Sequence, residues 1–162
     1  MRTTLATLCV LLFLGGCQRQ GDRETGAALP AGDAAAGAVN WQPGPPALPP
    51  GARFALLEGD PAKAGAFRFR LEMPDSYEVR PHYHPMSERI EVLEGTLLMG
   101  RGREWDDSKL EPLAAGEQAN VAAEEPHYAR TRGLTVIEVR TTGPFGTTWV
   151  NPADDLQKTT TR

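Results

Sequence analysis

Residues 82–95, HYHPMSERIEVLEG, carry the most informative pattern in the sequence. It opens with two histidines one residue apart, and strand side chains alternate between the two faces of a sheet. His82 and His84 are therefore predicted to lie on one face of an extended segment. Pro81 and Pro85 flank the pair and favour extended backbone, because a residue that precedes proline avoids the helical region.

Glu88 shares a face with Ile90 and Val92, and the alternation predicts that this face points inward. A carboxylate among aliphatic side chains needs a partner, since burying an unpaired charge is very costly. A divalent metal would be such a partner. The third and last histidine, His127, follows much later in the chain, where another strand is predicted to begin.

The rest of the sequence after Gly51 is also strand-like. Apolar and charged residues alternate over 67–73, and Glu94-Gly95 is a turn signal that predicts a hairpin or a tight corner. Further strands are predicted at 52–57, 96–99, 118–122, 128–131, 134–140 and 146–150, and a short helical turn at 106–110. Eight to ten short strands in roughly 100 residues predict an all-β sandwich or barrel.

Length and charge exclude several classes of protein. The 162 residues include 17 Lys+Arg and 21 Asp+Glu, which gives a formal net charge of −4. A chain of this length supports one domain of ordinary size. The mild acidity argues against a nucleic-acid binder, because no block of basic residues could neutralise phosphates. The two Cys are too few for a Cys-rich zinc site or a disulfide framework.

The N-terminus has the pattern of a signal peptide. Residues 1–16 begin with the positive charge of Arg2, and the apolar run 5–14 is long enough for a signal-peptide core but too short to span a bilayer. The run ends in Leu14-Gly15-Gly16-Cys17, which resembles the lipobox of bacterial lipoproteins. A plain secretory signal with an incidental Cys, or a cytoplasmic protein with an apolar N-terminus, are the alternatives.

The lipobox resemblance implies that Cys17 is lipidated and becomes the new N-terminus. The protein would then be anchored by lipid in the bacterial cell envelope, on the periplasmic side, with the outer membrane favoured over the inner one. Several acyl chains on one Cys would anchor it firmly, since a single chain gives only marginal binding.

Residues 17–50 are predicted to be the lipidated Cys and a flexible tether. Ala, Gly and Pro dominate this segment, which has too few apolar side chains to offset the entropy of ordering. Its proline-rich end, 43–50, is predicted to be extended and stiff. Trp41 is the exception, and its docking on the folded domain is left open. The folded domain is predicted over 51–155, followed by a C-terminal tail at 156–162.

The opening stretch resembles the first motif of the cupin superfamily. His82, one residue, His84, three residues, Glu88, six residues and Gly95 match that motif position for position, and Ser76 replaces only its leading glycine. Nearly all of the chain after the tether is also similar to a group of small bacterial single-domain cupins of the cupin type-2 kind.

The second cupin motif is matched in part. Gly116 and His127 stand at the right separation, but Ala122 and Glu124 occupy the places of the turn proline and glycine. Glycine at that place allows a backbone conformation that Glu124 resists. Two interpretations stay open: the loop has a different shape, or Glu124 is mildly strained.

The resemblance implies an all-β fold, a single-domain cupin jelly-roll β-barrel, whose motif residues converge on one metal. Carried over, the ligands are His82, His84, Glu88 and His127. Such a set leaves one or two positions open on a six-coordinate ion, which suits Fe, Mn, Ni, Co or Cu, and Zn if tetrahedral. Two alternatives bind no metal: the first two histidines face solvent on an edge strand, or all three are hydrogen-bonded core residues.

Two classes of function follow from the resemblance. In the first, the protein is a small-molecule metalloenzyme of dioxygenase, isomerase or decarboxylase type, although fold and ligands do not fix the reaction. In the second, it is a non-catalytic module of the cell envelope that binds a metal or small ligand. A structural lipoprotein whose barrel serves to form a homodimer is a third class. The predicted partners are a small molecule and, through the lipid alone, a membrane; no nucleic acid is expected.

Overall fold

The computed structural model describes residues 39–159 of the chain. Within them nine β-strands form one sheet, and the all-β prediction is confirmed. The strands are β1 (Gln42–Pro43), β2 (Arg53–Glu58), β3 (Gly65–Met73), β4 (Glu78–Tyr83), β5 (Glu88–Arg101), β6 (Glu111–Ala114), β7 (Gln118–Val121), β8 (His127–Gly143) and β9 (Thr148–Trp149). The predicted signal, Cys17 and the first part of the predicted tether lie outside the described residues.

The helical content of the described part is small. Two 3₁₀ turns, Asp107–Lys109 and Pro152–Asp154, and one short helix, α1 (Leu156–Thr159), connect or follow the strands. The first of these turns lies where the sequence predicts one. Over residues 39–159, no helix has both the length and the apolar character that a membrane crossing requires.

Two long strands organise the sheet. The 17-residue β8 pairs through its first half with β4 and through its second half with β3, while β5 runs along its other edge. The 14-residue β5 in turn pairs with β7 and then with β6. Because each long strand exchanges partners along its length, the sheet curls around an interior, and all its pairings are antiparallel.

The turn signal at Glu94-Gly95 marks a bulge inside β5. The register shifts on both sides of Glu94, and Gly95 has a φ of 76°. A Cβ at Gly95 would lie 2.3 Å from the carbonyl oxygen of Leu134, so glycine is required where the two strands approach. The predicted hairpin is wrong, because both halves of β5 pair with the same neighbour, β8.

The interior is built by the alternation that the sequence predicts. On β3, Phe67, Phe69 and Met73 are buried, while Arg68 and Arg70 lie between them on the outer face. The buried apolar residues form one contiguous core, to which β3, β4, β5, β7, β8 and β9 contribute, and Phe54 of β2 packs against it.

The segment before β2 contacts the curled sheet. The backbone N–H of Gly44 donates to the carbonyl of Ala52 at 2.9 Å, and the Tyr77 hydroxyl donates to the carbonyl of Pro49 at 2.5 Å. Trp41 lies beneath the guanidinium of Arg53, 5.2 Å from ring centroid to Cζ. The sequence analysis assigns residues 39–50 to the tether from their composition. In the structure, hydrogen bonds to backbone atoms hold this segment against the sheet. Such bonds leave no periodic apolar pattern from which the contact could be predicted.

Candidate metal centre

Strand pairing brings the three histidines together. His82, near the end of β4, lies directly opposite His127, the first residue of β8. His84 follows the end of β4, and all three side chains are buried, with residue exposures of 7%, 7% and 3% for His82, His84 and His127. The ring nitrogens that could act as ligands all lie within 4.8 Å of one another. Among the residues the structure describes, this is the group suited to hold a metal ion.

Backbone carbonyls orient each ring. In every case the imidazole Nδ1 lies at hydrogen-bond distance from a carbonyl oxygen. The accepting carbonyls are those of Arg80 (2.7 Å from His82), Gly146 (2.9 Å from His84) and Glu125 (3.0 Å from His127). A carbonyl only accepts, so Nδ1 carries the proton and the Nε2 of a neutral ring bears a lone pair. Metal-binding histidines commonly have this arrangement.

Burial favours the neutral form of two of these rings. It lowers the pKa of His82 well below its ordinary value of 6.5, and the neighbouring His127 and His84 rings act in the same direction. Burial also lowers the pKa of His84, although the carboxylate of Glu88 opposes this shift. Neutral imidazoles are the form that binds a metal.

The Glu88 carboxylate faces the same point as the rings. It begins β5 with 6% of its surface exposed. Its Oε1 lies 3.1 Å from Nε2 of His127, and its Oε2 lies 3.8 Å from Nε2 of His84. Two acceptors at 3.1 Å repel each other unless a cation lies with them, so the site requires a proton or a metal ion.

A metal ion fits this donor set better than a proton does. A proton bridges one pair of acceptors, whereas the site presents three imidazole nitrogens and a carboxylate. Two ligand atoms about 2.1 Å from one ion and at right angles to each other are about 3 Å apart, close to the His127–Glu88 separation. Imidazole and carboxylate together suit divalent transition metals.

Aromatic side chains that the sequence analysis missed hold two of the rings. Phe145 stacks on His84 with centroids 4.4 Å apart and an interplanar angle of 27°. Trp149 of β9 packs against His82 at 5.3 Å. The strand predicted at 146–150 includes Trp149 but not Phe145, and it gives no direction toward the site.

Two residues that replace glycine in the cupin motifs that this sequence resembles have the positive φ that glycine favours. Ser76 and Glu124, which stand at two motif glycine positions, have φ values of 59° and 60°. They are the non-glycine residues with positive φ in the described part of the chain. The N–H of Glu124 donates to the carbonyl of His84 at 2.8 Å, which ties the loop to the first motif. The strained interpretation of Glu124 is the one that holds.

A cavity opens from the histidines into the interior of the curled sheet. Its volume is about 340 Å³, at the lower end of the range typical of ligand pockets. His82, His84, His127 and Glu88 line one part of it, and apolar residues of β2, β3, β5 and β8 line most of the remainder. The segment before β2 contributes Pro45, Ala47 and Leu48.

Comparison with solved structures identifies the class of fold. A proposed acetylacetone dioxygenase from Methylibium petroleiphilum PM1 is similar with a TM-score of 0.56 and 21% identity, covering 72% of this chain and 78% of that one. The polyketide cyclase RemF from Streptomyces resistomycificus has a TM-score of 0.54 at 20% identity, covering 68% and 79%. A cupin 2 domain-containing protein from Halorhodospira halophila has a TM-score of 0.52 at 17% identity, covering 64% and 73%.

The chain therefore has the jelly-roll fold of the cupin superfamily. No family profile matches the sequence, and no curated protein matches it either. At these identities the likeness concerns the fold, and the chemistry has to be argued from the site itself.

Proposed function

We propose that this protein is a metal-binding cupin in which His82, His84, His127 and Glu88 hold one divalent transition metal. The observation that carries the proposal is the set of acceptors: three Nε2 lone pairs and a carboxylate face one point, and each Nδ1 is already bonded to a carbonyl. Fe, Mn, Ni, Co, Cu and Zn all suit these ligands.

We further propose that the site acts on a small molecule, as a metalloenzyme of dioxygenase, isomerase or decarboxylase type. When bound, the ion would supply Lewis-acid or redox chemistry. The protein's own side chains keep the ligands buried and oriented, and the cavity beside them offers room for a substrate. The similar structures are named for different reactions, so the fold does not choose among these classes.

One observation favours a second candidate, a non-catalytic module that binds a metal or a small ligand. Apart from the four proposed ligands, the described residues that line the cavity include no Asp, Glu, His, Lys, Tyr or Cys. General acid–base catalysis requires such a group within reach of the substrate. An enzyme at this site would therefore depend on the ion and its ligands.

Metal analysis of the purified full chain tests the metal proposal. We expect close to one transition-metal ion per chain, and its loss in His82→Ala and in His127→Ala. Tyr83→Ala, which changes the residue between two of the ligands, should keep the ion. A wild-type chain that contains no metal and takes up none from solutions of the six candidate ions would overturn the proposal.

Turnover separates the enzyme from the binding module. The metal-loaded chain is incubated with a panel of small diketones, phenols and hydroxy acids, while oxygen uptake and product formation are followed. An enzyme gives turnover that His127→Ala abolishes. Saturable binding to the metal-loaded chain without any turnover would favour the module.

We also propose that Cys17 anchors the protein by lipid in the bacterial cell envelope, on the periplasmic side. The support is the sequence Leu14-Gly15-Gly16-Cys17 after an apolar run. Cys17→Ala should move the protein from the membrane fraction to the soluble fraction, whereas Cys9→Ala should not. Retention of Cys17→Ala in the membrane fraction would contradict the proposal.

A further inference from the structure

The wall of the cavity beside the histidines is predominantly apolar. Of the described residues that line it, Glu88 is the one with an ordinarily ionised side chain. Beyond the histidines, Thr147 and Gln157 are the lining residues with polar side chains. No Lys or Arg among the described residues lines the cavity.

This distribution of side chains limits the charge that an occupant can carry in the apolar part of the cavity. A carboxylate, phosphate or ammonium group in the apolar part of the cavity would lose its water and find no side chain of opposite charge. Burying an unpaired charge in this way is very costly, whereas burying an apolar group is favourable. The apolar wall therefore selects against charged molecules.

Aromatic rings shape the cavity next to the proposed metal ligands. Phe145 contacts Phe67 at 5.4 Å and Phe69 at 6.0 Å between ring centroids, and it also stacks on His84. Phe54 extends the cluster through Phe69 at 5.3 Å. All four phenylalanines line the cavity, so they offer ring faces and edges to an occupant that reaches the histidines.

The segment before β2 supplies another part of the wall. Leu48 lines the cavity, and the segment is fixed next to it by the hydrogen bond from Tyr77 to the carbonyl of Pro49. Because Leu48 is half-buried at the edge of the fold, its replacement changes the cavity without removing a residue of the central core.

We propose that the cavity takes an uncharged, largely apolar small molecule, with an oxygen function directed at the histidine end, and that Leu48 helps to exclude charged ones. The placement of the oxygen rests on the proposed metal site, whereas the neutrality of the ligand rests on the cavity wall alone.

Two probes of similar shape and different charge test the inference. 4-Ethylacetophenone is neutral, and 4-acetylbenzoate carries a carboxylate in place of its ethyl group. Binding of each to the metal-free full chain is measured by calorimetry at pH 8. We expect the neutral probe to bind and the anion to bind at least about tenfold more weakly, since it buries an unpaired charge. Equal binding of the two probes, or binding of neither, would overturn the proposal.

A substitution that adds a cation provides the second arm. Leu48→Arg should strengthen the binding of 4-acetylbenzoate several-fold and weaken that of 4-ethylacetophenone. Leu56→Arg, on an exposed residue outside the cavity lining, should change neither. If Leu48→Arg does not fold, Leu48→Ala should still weaken the neutral probe, because apolar contact is lost. An unchanged affinity for the neutral probe in Leu48→Ala would contradict the proposal that Leu48 forms part of the wall that contacts the ligand.

Metal loading separates this inference from the proposed function. If the metal proposal holds, the loaded ion should tighten the binding of the ketone relative to the metal-free chain. If no metal binds, adding metal does not tighten the binding of the ketone. The metal-free chain should still bind the neutral probe more tightly than the anion. A charge preference that is absent from the metal-free chain defeats the inference and leaves the metal proposal intact.

Discussion

The direction of each histidine nitrogen decides what the centre can bind. Three backbone carbonyls fix the Nδ1 protons, so the Nε2 lone pairs face one another and the Glu88 carboxylate. Without a cation, acceptors face acceptors. The arrangement is unfavourable while neither a proton nor a metal ion lies between the acceptors, and it becomes favourable once an ion occupies it.

Glu88→Gln should therefore have opposite effects on stability and on metal binding. The amide can donate a hydrogen bond to Nε2 of His127, so the metal-free variant should gain about 1 kcal/mol in unfolding free energy. Metal affinity should fall about tenfold or more, since a charged ligand is lost. Denaturant unfolding at pH 8 and metal titration measure the two effects.

The control for this prediction is Glu94→Gln, an exposed residue of the same strand, which should change neither quantity. A metal-free Glu88→Gln chain that is less stable than the wild type, with unaltered metal affinity, would show that Glu88 is not paired with the histidines in the way the contacts indicate.

Backbone strain at Glu124 gives a second prediction. Its φ of 60° costs a residue with a side chain about 1 kcal/mol or more and costs glycine nothing. Glu124→Gly should therefore raise the unfolding free energy, by up to about 1 kcal/mol after the greater entropy of glycine in the unfolded chain is subtracted. Ala123→Gly, next to it without a positive φ, should lower that energy. Thermal unfolding of both variants measures the two changes. An equal loss of stability in Glu124→Gly and in Ala123→Gly would contradict the presence of strain at Glu124.

The outer face of β3 and β8 is stabilised by one buried carboxylate. Glu138 is 2% exposed and pairs with three arginines. The contacts are 3.1 Å to Arg70, 3.3 Å to Arg68 and 2.9 Å to Arg140. Burial acts to raise the pKa of Glu138, but the hydrogen bonds and charges of the arginines together hold it below its ordinary value of 4.5.

The pKa of Glu138 predicts how stability depends on pH. The folded-state pKa lies below the unfolded one, so the unfolded chain binds more protons near pH 4.5. The stabilisation is fully present above that pH and is lost as the pH falls through the folded-state pKa. Glu138→Gln should cost about 2 kcal/mol at pH 7 and less at low pH.

Unfolding measured between pH 3 and pH 7 tests this difference. Glu58→Gln is the matched control, because that exposed carboxylate approaches Arg68 at 3.8 Å and should matter by less than about 0.5 kcal/mol. A Glu138→Gln chain whose loss in stability is the same at every pH would contradict the lowered pKa.

Strand positions could be predicted where one alternating pattern fills a whole strand. The inward face of β3 follows directly from the alternation over 67–73. The continuity of β5 could not be predicted, because Glu94-Gly95 serves equally for a hairpin turn and for a bulge, and the pairing of both halves with β8 decides between them. The carbonyl partners of the histidines were also beyond prediction, since they depend on where distant backbone segments meet.

Over the molecule as a whole, one ion would tie together strands that are distant in the sequence. Its proposed ligands come from β4 and the residue that follows it, from β5 and from β8. An ion that binds the folded chain alone stabilises it by mass action, by about 2.7 kcal/mol at a free concentration 100 times its Kd. We therefore expect metal to raise the unfolding temperature and a chelator to lower it.

His82→Ala provides the reference for that measurement, because its unfolding temperature should not respond to metal or chelator. Equal responses in the variant and the wild type would indicate that the ions act elsewhere on the chain.

The positive φ values of Ser76 and Glu124 have a consequence for finding proteins of this kind. A search pattern that demands glycine at both positions discards this chain, although both residues have a positive φ of the kind that glycine favours. A pattern that requires only the histidines, the glutamate and their spacing retains it. The turns are specified by conformation, and more than one residue type can satisfy them at a modest energetic cost.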